Sequence, residues 1–194
     1  MRKKQKKPVP PVSELKKELA RERYKLRYRS VLKSTLGTLV VVAAIAVLIA
    51  MLVMPVLEIY GSSMSPTLRE GQIVAAVKAP KYEQGDMVAF YIGNKLLVKR
   101  VIAGPGDLVE ISEEGIVQVN GKTLQEPYVR QHALGECDIA MPYRVPNEQY
   151  FLMGDHRETS IDSRSSAVGC VGEDQIIGKL FFRIWPMEEI GALN

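Results

Sequence analysis

Three stretches of this 194-residue chain carry side chains suited to covalent chemistry. The first is Gly61-Ser62-Ser63-Met64-Ser65-Pro66-Thr67-Leu68, where small residues and a proline hold a serine hydroxyl out in a turn. A serine is a weak nucleophile until a neighbouring base takes its proton. The second stretch, Leu96-Leu97-Val98-Lys99-Arg100-Val101-Ile102, offers an unusual base. With a period of two, Leu97, Lys99 and Val101 share one face and Val98, Arg100 and Ile102 the other. Both faces are mostly apolar, which predicts that one of the two cations is partly buried. A lysine stripped of water has a lowered pKa and, once neutral, can accept a serine proton. The third stretch runs from Tyr150 to Arg164, an apolar strand entering a loop with three acids and two arginines.

Each stretch taken alone also has an ordinary reading: a linker, an edge strand whose lysine snorkels to water, a solvated turn. Asp155 and His156 supply the residue types of a triad, but neighbours on a strand point to opposite faces, which suits a base and its orienting acid poorly. His132, His156, Cys137 and Cys170 have no CxxC or HExxH spacing, so no metal and no cofactor is expected.

The elements that must position these groups read as β-strands. Short β-branched or alternating runs occur at 73–77, 87–92, 96–103, 108–111, 116–119, 150–153 and 176–184. Turn signals separate them at Gly85-Asp86, Gly93-Asn94, Gly104-Pro105-Gly106-Asp107 and Asn120-Gly121. Asn120-Gly121 between VQV and KTL predicts a two-residue hairpin. The segment 126–147 lacks a pattern and is expected to be a long loop.

Charge divides the chain into three parts. Residues 1–33 form a basic tail of net charge +10, residues 34–57 carry no charge, and residues 58–194 have a net charge of −6. The uncharged run of 24 residues would reach about 36 Å as a helix, enough for a bilayer core of about 30 Å. Lys and Arg flanking a span stay on the cytoplasmic side, so the tail is expected inside and residues 58–194 outside. Within the tail, the proline-containing start is expected to be irregular. Ser13 offers a cap for a following basic helix with Leu15, Leu19, Arg23 and Leu26 on one face; this suits a helix lying on anionic lipid, but a plain orienting signal with no role beyond topology is the favoured reading. The basic charge belongs to the tail rather than the folded part, which argues against nucleic-acid binding. Cys137 and Cys170 fall on the exported side, where disulfides persist. A bridge and two separate thiols fit the sequence equally.

In order, a juxtamembrane SMSPTL, a strand KRV followed by GPGD, and GDHRxxSxDSR near the C-terminus resemble the bacterial type I signal peptidases, in their single-pass Gram-positive form. Gly85-Asp86-Met87-Val88-Ala89-Phe90 and the closing Ile177-Gly178-Lys179 extend the likeness along the chain. The resemblance implies a mainly β, antiparallel, barrel-like catalytic domain resting on the membrane by an apolar surface. It makes Ser63 the nucleophile and Lys99 the general base, with Ser160 orienting the lysine, Asp162 and Arg164 ordering the loop, and Arg100 pairing with Asp155. Ile59, Met64, Leu68, Val74, Leu97 and Val98 would line two shallow pockets for small side chains. The implied activity is removal of N-terminal signal peptides after Ala-x-Ala. The implied partners are exported preproteins, membrane lipid and the secretion translocon.

His156 and Gly61 depart from commoner versions of the pattern, and Gly61 leaves the second oxyanion donor beside the Ser63 N–H undefined. Only six residues separate Leu57 from Ser63, a reach of at most about 20 Å, so the site is expected close to the membrane. The competing readings are a membrane-anchored Ser/Lys protease with one dedicated substrate, a self-cleaving repressor relative, and a non-enzymatic binding module. The repressor reading requires a helix-turn-helix where this chain has its apolar run. The last leaves the three stretches as coincidences.

Overall fold

The computed structural model describes residues 11–193, so nearly all of the expected irregular start lies outside the described residues. The chain divides into two units, residues 1–50 and 51–194. The first is built on α1 (Val12–Val53), a single helix of 42 residues and about 63 Å. Basic and apolar stretches are continuous in it, with no break between a tail helix and a span. The helix starts one residue before Ser13, and the Pro11 carbonyl accepts the N–H groups of Glu14 and Leu15 at 2.9 and 3.3 Å. Within Val12–Leu48 an 18-residue window reaches a mean hydropathy of 2.2, long and apolar enough to cross a membrane.

The second unit is antiparallel β throughout. Its strands are β1 (Val56–Glu58), β2 (Ile73–Val77), β3 (Met87–Ile92), β4 (Lys95–Ala103), β5 (Leu108–Ile111), β6 (Val117–Val119), β7 (Lys122–Thr123), β8 (Tyr143–Arg144), β9 (Gln149–Met153), β10 (Val171–Gly172), β11 (Ile176–Trp185) and β12 (Gly191–Ala192). The larger sheet has the order β1-β2-β11-β3-β4-β9-β10, with β12 added on β11, and the smaller runs β7-β6-β5-β8. Both sheets are open, so the expected barrel-like closure is corrected to two sheets with free edges. Val56 and Leu57, the last residues of the uncharged run, pair with β2 in this unit.

The expected hairpin joins β6 to β7, with Asn120 and Gly121 at φ 53° and 74°, the positive pair that a two-residue turn of this twist requires. Segment 126–147 is loop apart from the two residues of β8. Cys137 and Cys170 are separate thiols, and burial pushes that of Cys170 up to about 11.

Strand β4 decides how the core and the site meet. Val98 packs against the cluster of Ile59, Met64, Leu68 and Met87, while Leu97 packs against that of Tyr82, Val88 and Phe90. The strand is therefore buried on both faces. Lys99 and Arg100 are each only 3% exposed, where the sequence predicted one partly buried cation.

Candidate active site

The turn that carries Ser63 leads out of β1 and is pinned at both ends. Ser65 N–H bonds the carbonyl of Ser62 at 2.9 Å, and Leu68 N–H that of Met64 at 2.9 Å. Met64 and Leu68 are buried on the core side, leaving Ser63 half-exposed. Beside it lies a cleft of about 560 Å³, bounded by residues 56–61 on one flank and 95–98 on the other, with Ser63 and Met64 at its end. Of the six expected pocket residues, Ile59, Met64, Leu97 and Val98 line this cleft. Leu68 and Val74 are fully buried in the apolar cluster of Ile59 and Met64.

Gly154 is where the three sequence stretches converge. Arg100 of β4 pairs with Met153 of β9. One more step in that antiparallel register sets Gly154 opposite Lys99, on the same face of the sheet. A Cβ on Gly154 would fall 2.5 Å from the Ser63 carbonyl oxygen and directly against Ser160 Oγ. Two residues on, His156 N–H bonds the same Ser63 carbonyl at 3.0 Å. Ser160 Oγ is buried and has no hydrogen-bond partner among the described residues. Burial pushes the Lys99 ammonium down to about 8; the Asp162 carboxylate opposes that shift and Arg164 adds to it.

Around this junction, the buried arginines and carboxylates are paired. Arg100 donates from Nε and Nη2 to the two oxygens of Asp155 at 2.9 and 2.8 Å, and from Nη1 to the Gly85 carbonyl at 2.7 Å. Its guanidinium also lies 4.0 Å from the ring centroid of Tyr128, a stacking that favours a cation. Asp162 accepts two bonds from Arg164 at 2.8 and 2.9 Å and holds the Gly154 N–H at 2.9 Å. Arg164 also donates to the carbonyls of Ala133 and Leu134, fastening the long loop to this cluster. A buried charge left unpaired costs several kcal/mol, so these bidentate pairs make the loop rigid rather than solvated. By contrast, Lys99 makes no ion pair among the described residues.

Two further anchors leave no signal in the residue pattern. Arg157, fully buried, donates to both oxygens of Glu126 and to the Gly154 carbonyl, so Gly154 is held at both its N–H and its C=O. Glu126 sits in the patternless segment, where no spacing distinguishes it. Thr67 donates from Oγ1 to Asp155 at 2.5 Å. His156 Nδ1 lies 2.9 Å from Thr159 Oγ1, and the Asp155 carboxylate is taken up by Arg100 and Thr67. The triad arrangement is therefore not assembled. No group of three or more His, Cys, Asp or Glu side chains suited to a metal ion occurs among the described residues.

A model of the family "Signal peptidase, peptidase S26" matches residues 32–185, and the chain belongs to that family. It is similar to signal peptidase IB of Staphylococcus aureus, with 40% identity over 152 residues, 68% of this chain and 78% of that protein. It is also similar to signal peptidase I of Bacillus amyloliquefaciens, with 34% identity over 141 residues, 67% and 75% of the respective chains. A crystal structure of a signal peptidase I from Enterococcus faecalis aligns with a TM-score of 0.43 at 28% identity, covering 52% of this chain and 97% of that one.

Proposed function

We propose that this serine peptidase removes the signal peptides of exported preproteins, with Ser63 as nucleophile and neutral Lys99 as general base. The observation that carries this reading is the convergence at Gly154 of the Ser63 main chain, Ser160 Oγ and the register position of Lys99. Lys99 Nζ takes the proton from Ser63 Oγ as that oxygen bonds to the scissile carbonyl carbon. The resulting ammonium gives the proton to the leaving amine, which departs as the new N-terminus. An acyl-enzyme remains on Ser63, and Lys99 then activates water to release it. The Ser63 N–H is available to the oxyanion. Ser160, its hydroxyl otherwise unpartnered, orients the amine. The cleft flanked by Ile59, Met64, Leu97 and Val98 accepts small side chains of an extended substrate, added as a strand.

The test is cleavage of a preprotein bearing an Ala-x-Ala site by purified full-length protein in detergent. The product should begin at the residue after the second alanine, and His156→Ala should keep a large part of the rate. No cleavage, or a cut elsewhere, overturns the substrate reading. A His156→Ala protein as inactive as Ser63→Ala overturns the dyad.

The orientation proposed is tail inside and residues 58–194 outside, supported by the charge step across the span. Protease shaving of intact cells should remove the catalytic part and spare the tail. The reverse pattern refutes it.

A further inference from the structure

The strand-end segment 154–156 grips the serine turn at two points four residues apart. The first is the bond from His156 N–H to the Ser63 carbonyl. The second is the bond from Thr67 Oγ1 to Asp155, whose carboxylate Arg100 already fixes from β4. Thr67 is held from the opposite side as well. Arg183 of β11 donates from Nη2 to the Thr67 carbonyl at 2.9 Å, and from Nη1 to Glu189 at 2.8 Å. Glu189 is in turn bonded by Gln72 Nε2 at 2.7 Å, just beyond the same turn. Thr67 is thus the residue at which the 154–156 segment, with β4 behind it through Asp155, and β11 both fasten the turn that carries Ser63.

We infer that Thr67 is a positioning residue for the nucleophile, its hydroxyl tying the serine turn to the Asp155–Arg100 pair so that Ser63 Oγ is held in register with the Lys99 strand. The inference rests on Ser63 and Lys99 being the dyad. Without the Thr67 hydroxyl the turn meets segment 154–156 only at the Ser63 carbonyl, and Arg183 holds Thr67 to β11 alone; the hydroxyl adds the bond that ties the far end of the turn to the Asp155–Arg100 pair. Near-attack geometry is lost over displacements of about 1 Å, with rate losses of about 100-fold, so a hydroxyl that never touches substrate can still govern turnover. Substrate binding draws mainly on the cleft flanks, residues 56–61 and 95–98, which Thr67 does not line.

The experiment compares Thr67→Val and Thr67→Ser in the purified full-length protein, by preprotein cleavage kinetics and by the rate at which an acylating serine reagent labels Ser63. Valine keeps the branched shape and removes the donor; serine keeps the donor and removes the methyl group. Thr67→Val should lower kcat and the labelling rate together, by about 10- to 100-fold, with KM changed by less than about twofold. Thr67→Ser should restore both rates to within about threefold of wild type. The inference is overturned if Thr67→Val turns over like wild type, if its loss lies in KM alone, or if Thr67→Ser is as impaired as Thr67→Val. Should valine prevent folding, the serine variant alone decides, since full rates with the hydroxyl and without the methyl are what positioning requires. Ser63→Ala separates the two levels: an active Ser63→Ala protein sinks the dyad, whereas an inactive one beside a fully active Thr67→Val protein sinks only the role of Thr67.

Discussion

Ser63→Ala and Lys99→Met are each expected to lower preprotein cleavage by about 10⁴-fold or more, the scale at which removing one member of a concerted nucleophile–base unit removes the function of the whole. The two should not be additive: the double variant should be no slower than either single one. They part company in stability. Burial sets the folded pKa of Lys99 at about 8, below its ordinary 10.5. Between those values the unfolded chain holds a proton that the folded chain does not, so stability rises with pH through about 8 to 10.5. Below pH 8 the full cost of a buried ammonium is present, about 3 kcal/mol at 1.36 kcal/mol per pKa unit. Lys99→Met removes that cost while roughly keeping the volume. At pH 7 its thermal midpoint should equal or exceed that of wild type, and the difference should shrink as pH rises past 8. The cleavage rate of wild type should climb with an acid limb near 8, the value at which the working neutral amine appears. An acid limb near 6, or a Lys99→Met protein that melts well below wild type at pH 7, would count against a desolvated lysine base.

How far the sequence foretold this site depends on the range over which each signal acts. Strand runs were legible because alternation and β-branching are local, and the β3–β4 pair and β11 lie where the pattern put them. Asn120-Gly121 was legible because the turn fixes two positive φ values within two residues. The Arg100–Asp155 pair came from the family resemblance, since 55 residues separate the partners and no local spacing relates them. The antiparallel β class was legible, but whether the sheets close was not. Closure depends on which strands find one another at the edges, and β1 and β10 end as edges instead. Thr67, Glu126 and Tyr128 leave no signal as supports of the site because each acts only through long-range bonds or a stacking contact. In the sequence they look like a turn residue and parts of a loop. The burial of both Lys99 and Arg100 had the same origin. Alternation assigns one cation to each face, and only the tertiary structure covers both faces.

Gly154→Ala is expected to be the most damaging substitution of a residue that bears no reacting group. Its backbone is fixed at both polar atoms, the N–H by Asp162 and the C=O by Arg157, so it cannot retreat to make room. The added methyl would lie 2.5 Å from the Ser63 carbonyl oxygen and against Ser160 Oγ, closer than real side chains approach. Rotation can move the Ser160 Oγ but not the Ser160 Cβ, 2.6 Å from the added methyl, and the Ser63 carbonyl is main chain, already held by His156 N–H. The turn must therefore shift, and with it the nucleophile. Overpacking at a site that cannot relax costs about 1–3 kcal/mol, and a displacement of about 1 Å in the reacting atoms costs about 100-fold in rate. Both losses should appear together in Gly154→Ala, as a lowered thermal midpoint and a kcat reduced by about two orders of magnitude. Adding Ser160→Gly removes both the Oγ and the Cβ that the new methyl would meet and leaves only the Ser63 carbonyl, so the double variant should recover part of the stability while the rate stays low. A Gly154→Ala protein that melts and cleaves like wild type would mean that the Ser63 main chain is not packed against this glycine, and the convergence that assembles the site would have to be abandoned.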